Sequence, residues 1–276
     1  MSGRIERSFA ALRANDQRAL VAFIMAGDPG MEQTRTLVHA AAASGADIIE
    51  LGVPFSDPTS DGPVLQRSAE RALKQNVSLP RVLELVQELR QESVTVPLVL
   101  FGYFNPIFRY GCERFARDAA RAGVDGVLVV DLPPEEAGEL RRFTDPAGVD
   151  IINLLAPTSD SERMRKVLAR AKGFVYYVSL TGVTGVRAVT PADVRPMVEK
   201  VKRQTKLPVG VGFGISTPEQ AAAVAQFADA VVVGTAIMRI IEAHATAPDL
   251  VDRVSQFIRD LKAAMRNGAS GAAPQS

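Results

Sequence analysis

Short unbroken aliphatic runs alternate along this chain with longer stretches in which apolar residues recur at helical spacing. Ile5, Phe9 and Leu12 fall at i, i+4 and i+7, which predicts an amphipathic N-terminal helix over 2–14. Strands are predicted over 19–25, 47–51, 96–103, 126–130, 150–155, 174–179, 208–212 and 230–233. Between and after them the pattern predicts helices over 32–43, 65–74, 79–92, 112–122, 135–143, 161–171, 190–204, 217–227 and 248–265. The strands carry no alternating polar face, so both of their faces need cover, as in a parallel sheet wrapped by helices. Eight such strands predict an α/β chain folded as a single-domain (β/α)8 TIM barrel, with an N-terminal amphipathic helix and extra loop helices. Residues 1–266 form the barrel on this reading, and 267–276, rich in Gly, Ala and Ser, form a disordered tail. A doubly wound open sheet in two domains is the competing fold, but no shift in composition marks a linker.

Composition narrows the function classes. The 276 residues hold 32 basic and 31 acidic side chains, a formal charge of +1, which leaves no electrostatic footprint for nucleic acid or an anionic membrane. Cys112 is the lone cysteine and forms no internal disulfide, which suits a reducing compartment. No apolar run approaches the roughly 20 residues of a membrane span, and the first residues lack a signal-peptide core. The expectation is a soluble, cytoplasmic protein.

In such barrels chemistry sits where strands end. Three glycine-punctuated loops, 181–185, 212–216 and 234–236, follow the last three predicted strands. Any one of them reads as a tight turn, whereas three side by side suggest backbone N–H groups cradling a phosphate at helix N-termini. No lysine lies at a strand end, so a Schiff base lacks its amine. His39 and His244 fall on outer helices, which makes a histidine metal site implausible, and no dinucleotide fingerprint with a following acidic residue is present. Carboxylates and tyrosine remain, and their chemistry is proton transfer.

Glu50 stands out because an ionised carboxylate inside an aliphatic strand costs several kcal/mol, in order of magnitude, unless paired or facing a cavity. Asp61 lies in a loop rich in Pro and Gly, where it either caps a turn or delivers a second acid. Asp57 and Asp28 read as loop-shaping residues, and Asp131 as a loop anchor or loop-to-loop acceptor. Strand alternation turns Tyr176 inward if Tyr177 points out.

Those residues resemble a known family. The run Ile49-Glu50-Leu51-Gly52-Val53-Pro54-Phe55-Ser56-Asp57-Pro58, followed by Asp61-Gly62-Pro63, is similar to the signature of the tryptophan synthase alpha subunit. Gly27-Asp28-Pro29, Asn105-Pro106, Asp131-Leu132-Pro133, Gly182-Val183-Thr184-Gly185, Gly212-Phe213-Gly214-Ile215 and Gly234-Thr235-Ala236 agree with it as well. The resemblance implies retro-aldol cleavage of indole-3-glycerol phosphate to indole and glyceraldehyde 3-phosphate, with no metal and no cofactor in this chain. It implies Glu50 as the general acid/base and Asp61 as the acid that binds the indole N–H. Among the substrate-binding residues it implies, Phe23, Phe213 and Val232 would flank the ring, Tyr176 would stand near the catalytic acid, Gly185, Gly214, Gly234 and Thr235 would form the phosphate cup, and Thr184 would also contact substrate. It further implies a beta subunit carrying pyridoxal phosphate, an alpha2beta2 heterotetramer, and partner-facing loop residues around 54–57 and 105–108. Thr235 stands where serine is common, and Leu180 where some relatives carry arginine. Two other readings stay open: another phosphate-binding barrel isomerase or synthase, and a barrel that mainly binds or activates a beta subunit. The synthase would need a strand-end lysine.

Overall fold

A computed structural model describes residues 3–178, 190–212 and 214–270, with side chains as far as 266. The strands are β1 Ala19–Met25, β2 Ile48–Gly52, β3 Leu98–Gly102, β4 Gly126–Val129, β5 Asp150–Ile151, β6 Asn153–Leu155, β7 Val175–Val178, β8 Val209–Gly212 and β9 Ala230–Val233. They form one nine-stranded sheet in the order β5-β4-β3-β2-β1-β9-β8-β7-β6, and every assigned pairing is parallel. The two ends of that order, β5 and β6, are halves of one stretch interrupted at Ile152, whose N–H still donates to Val127 O at 2.9 Å. The sheet therefore closes on itself as the expected barrel, its fifth stave broken in two. Asn153 explains the break: its buried amide serves Val167 O at 3.1 Å and accepts from Arg141 Nη2 at 2.9 Å.

Helices α1 Arg4–Ala14, α2 Met31–Ala43, α3 Pro63–Leu73, α4 Leu79–Gln91, α5 Phe104–Tyr110, α6 Cys112–Ala122, α7 Gly138–Ala147, α8 Ser161–Ala169, α9 Pro191–Lys202, α10 Pro218–Ala225, α11 Thr235–Ala243 and α12 Leu250–Ser270 accompany the strands. Two departures from the sequence reading matter. Residues 105–108, expected as loop, belong to α5. Pro106 is tolerated there because it sits in the first turn, where its missing N–H has no helical partner to lose. Asp131 Oδ1 accepts from Phe104 N at 2.7 Å, so the expected loop-to-loop acceptor caps that helix from a neighbouring strand end. The last helix runs to Ser270, past the expected boundary at 266, since extending an existing helix adds a hydrogen bond for each residue fixed. Residues 271–276 lie outside the described ones.

Side chains divide cleanly between two apolar layers. Val21, Ile48, Val99, Leu128, Ile152, Phe174, Tyr176 and Val232 fill the barrel interior, while Tyr177 belongs to the layer between sheet and helices. Helix α1 plugs the floor with Ile5 and Phe9, whose ring lies 5.8 Å from that of Phe174. Charges at the floor are paired. Asp125 accepts from Arg4 at 3.0 Å, Arg90 at 2.5 Å and Leu98 N at 2.8 Å. Asp47 accepts from buried Lys262 at 2.6 Å and Leu20 N at 2.7 Å. Replacing Asp125 by Ala would leave the Arg90 guanidinium buried beside carbonyls alone. The expected cost is about 3–5 kcal/mol, read as a lower urea midpoint with an unchanged slope.

Candidate active site

Glu50 is the third residue of β2, and its register partners are Phe23 on β1 and Val99 on β3. Its side chain points into the barrel with 1% exposure, and its Oε1 has no hydrogen-bond partner. Burial pushes the carboxyl up to about 8, and no cation among the described residues draws it back. The proton therefore stays on at neutral pH. Tyr176 lies close by on β7, and its hydroxyl is raised well above the ordinary tyrosine range by burial and then by the Glu50 charge.

The apolar wall around this acid is built by strand alternation. Phe23 stands two residues on from interior Val21, and its ring meets Phe101 edge to face at 5.2 Å. Val232 on β9 and Tyr176 complete the wall, and Gly212 gives the tyrosine its place: a Cβ there would stand 2.6 Å from the Tyr176 hydroxyl and 3.3 Å from Val232 Cβ. The sequence does not single out Phe101 as a site residue, and it offers Gly212 only as part of a phosphate-cradling loop. The period of two in β3, counted from interior Val99, was the available signal for Phe101.

Asp61 ends the β2–α3 loop, one residue before Gly62, the N-cap of α3. Burial pushes its carboxyl up to about 6, and a hydrogen bond with the Tyr103 hydroxyl pulls the other way. Tyr103 organises this loop: its ring lies 5.2 Å from that of Phe55, and its hydroxyl accepts from Ser60 N at 3.0 Å. Burial thus raises Glu50 further than Asp61, to about 8 against about 6.

At the last two strand ends, Thr235 is the first residue of α11, and its N-cap Gly234 has no side chain with which to accept from the first-turn N–H groups. A Cβ at Gly234 would lie 3.3 Å from Phe23 Cβ, which places this helix start against the apolar wall. Gly214 has φ +83° and open space where a side chain would stand. Thr184, Gly185 and Phe213 lie outside the described residues, as does Leu180. The described site therefore brings together Glu50, Phe23, Tyr176, Val232 and Gly234, with Asp61 on the adjoining loop and Thr235 on the adjoining helix.

Asp28 lies in the turn after β1, as expected, and does more than shape it. It is wholly buried and bidentate to Arg71, with Nε at 2.8 Å and Nη2 at 2.7 Å. Its partner is far along the chain on α3, so local sequence carried no sign of the pair. Among the described residues no group of three His, Cys, Asp or Glu is placed to hold a metal ion.

A sequence model of the family described as "Tryptophan synthase alpha chain" matches residues 9–266. The chain belongs to that family. Its members are lyases whose reaction cleaves indole-3-glycerol phosphate to indole and glyceraldehyde 3-phosphate, and a beta subunit partner goes with them. The tryptophan synthase alpha chain of Geobacter sulfurreducens is 53% identical over 264 residues, covering 96% of this chain and 99% of that protein. That of Citrifermentans bemidjiense is 52% identical over 266 residues, with the same coverage of 96% and 99%. Among solved structures, tryptophan synthase subunit alpha from Legionella pneumophila superposes with a TM-score of 0.91 at 42% identity, over 97% of this chain and 100% of that one. No described helix is long and apolar enough to cross a membrane.

The raised Glu50 has a consequence for stability. Between about pH 4.5 and 8 the unfolded chain releases this proton while the folded chain keeps it, so stability falls as pH rises through that window. Glu50→Gln removes the effect. Relative to their difference at pH 4, the variant should gain on the parent up to about pH 8, by on the order of 5 kcal/mol at most. Paired urea titrations across pH 4–9 measure this, and parallel curves for the two proteins would refute the assignment.

Proposed function

We propose that this chain performs the family's cleavage with Glu50 as the proton carrier and Asp61 as the electrostatic partner of the indole nitrogen. The observation that carries the reading is the neutral, unpaired carboxyl of Glu50 inside the apolar barrel mouth. Cleavage begins when that carboxyl gives its proton to indole C3, which leaves a positive charge shared with the ring nitrogen. Asp61, ionised above about pH 6, accepts from the ring N–H and stabilises the charge. The Glu50 carboxylate then takes the proton of the glycerol hydroxyl next to the ring. The bond between C3 and that carbon breaks, its electron pair restores the aromatic ring, and the carbon becomes the aldehyde of glyceraldehyde 3-phosphate. The net change is one proton moved from oxygen to carbon, and Glu50 ends as it began.

The other roles follow the same logic. Phe23, Tyr176, Val232 and Phe213 line the ring. Gly234 and Thr235 offer first-turn N–H groups to the phosphate, with Gly214, Thr184 and Gly185 completing the cup. The chain needs no cofactor of its own on this reading, and pyridoxal phosphate sits on the beta subunit. Phe108, 59% exposed on α5 at the mouth of the barrel, supports a docking face there for that subunit in a cytoplasmic alpha2beta2 assembly.

Two limbs should bound kcat/KM against pH. Activity rises as Asp61 ionises near 6 and falls as Glu50 loses its proton near 8. Glu50→Gln should lower kcat at least about 1000-fold while an indole-bearing phosphate analogue still binds, because the change removes the proton and little of the shape. Indole release measured with and without a beta subunit checks both statements. Near-normal turnover by Glu50→Gln would remove this residue from its role, and stimulation of a partner with no lysis would favour a purely activating barrel.

A further inference from the structure

The charge network behind the barrel mouth is used by none of these steps. Helix α3 carries Gln66, Arg67 and Ser68 in its first half and Arg71 in its last turn. Gln66 Nε2 donates to the Asp61 backbone carbonyl at 2.9 Å, which ties the loop acid to the helix that follows it. One residue on, Arg67 grips Glu242 of α11 with both Nε and Nη2, at 2.7 and 2.8 Å. Arg71 reaches the same Glu242 Oε1 at 2.8 Å and spends its other two nitrogens on Asp28, while Ser68 Oγ donates to Asp28 Oδ2 at 2.6 Å.

We propose that Glu242, Arg67 and Arg71 are positioning residues that couple phosphate binding at the start of α11 to the placement of Asp61. The coupling rests on the assignment of the phosphate to the α11 N-terminus. Glu242 lies in the last turn of a nine-residue helix, so it moves with that helix as one body. An anion drawn onto the first-turn N–H groups shifts α11 along its axis, and the doubly held Glu242 carries α3 with it. Asp28 fixes the pivot, because a fully buried carboxylate cannot let go of Arg71 without leaving an unpaired charge in the core. Arginine suits the post for its flat fork, which holds orientation as well as charge. The arrangement keeps both ends of the substrate under one control: Asp61 comes to the ring only when the phosphate is seated, which protects the site from unproductive protonation. Linkage makes the effect reciprocal, so a ligand at the ring must tighten phosphate to the same degree.

The test measures the affinity of the whole chain for indole with and without saturating inorganic phosphate, beside cleavage of indole-3-glycerol phosphate. The parent is expected to bind indole roughly 5-fold or more tightly when phosphate is present. Glu242→Gln should bring that ratio close to one while phosphate alone binds within about twofold of the parent, and kcat should fall more than KM rises. Arg67→Gln, at a half-exposed position, is the second variant should Glu242→Gln fold poorly, and it should lose part of the ratio. A merely structural role would lower thermal stability and leave the ratio intact. An unchanged ratio in a folded variant, or a ratio of one in the parent, overturns the inference. Failure of the parent to release indole would instead overturn the reading of the reaction.

Discussion

A carboxyl group with no partner sits inside an apolar barrel, and much of the surrounding structure exists to make that tenable. Glu50 could be stabilised by an arginine, at the expense of the proton it must hold at neutral pH. Among the described residues the interior provides none: the side chains around it are Phe23, Val99, Phe101, Tyr176 and Val232. Such an acid survives because it stays protonated, which replaces the full penalty of a buried charge by the smaller one of a neutral polar group. The aliphatic staves, closed into a barrel and plugged from below by Ile5 and Phe9, supply the apolar burial that offsets it.

The two ends of the barrel treat charge in opposite ways. At the floor, Asp125 and Asp47 each accept a cation and a backbone N–H, and both pairs pin helices to strand starts. At the mouth, Glu50 and Asp61 are raised by burial, and neither has a cation among the causes that set its titration. Residue type alone cannot distinguish these cases. Position along the strand does: an acid before the first strand residue meets helix C-termini and their basic side chains, whereas an acid near the strand end meets the cavity where substrate arrives.

That distinction decides what the sequence could reveal. The alternation of aliphatic strands and amphipathic helices read out the barrel, and the inward turn of Tyr176 followed from period two once Tyr177 was assigned to the outer layer. Glu50 was legible because a lone acid in a run of Ile and Leu is anomalous on its own strand. Asp28 was not, since its meaning depends on Arg71 across another βα unit, and Gly-Asp-Pro locally spells a turn. Helix α5 was hidden by Asn105-Pro106, which normally argues against a helix and is accommodated here by its place in the first turn and by the cap from Asp131. The break at Ile152 was equally silent, because the aliphatic run continues through it and only the Asn153 amide, pulled outward to Val167 and Arg141, reveals the cause.

The placement of the two acids on different kinds of backbone carries its own logic. A group that both gives and takes one proton needs a fixed distance to two substrate atoms, and a strand in the middle of a closed sheet provides it. A group that only stabilises charge on the ring nitrogen can arrive after the ring does, so a loop suffices, provided something locates it. Tyr103 does so at one side through Ser60 N and the carboxyl, and Gln66 at the other through the backbone carbonyl. Holding Asp61 at about 6 and Glu50 at about 8 then leaves one acid charged and the other neutral across the neutral range, and proton donation followed by charge stabilisation requires that pair of states. Had Asp61 shared the depth of Glu50, the two would compete to stay neutral and the developing cation would find no counter-charge. Separation of the acids by burial is therefore the electrostatic condition for the reaction, and the barrel mouth meets it with one residue on a stave and one on the loop above it.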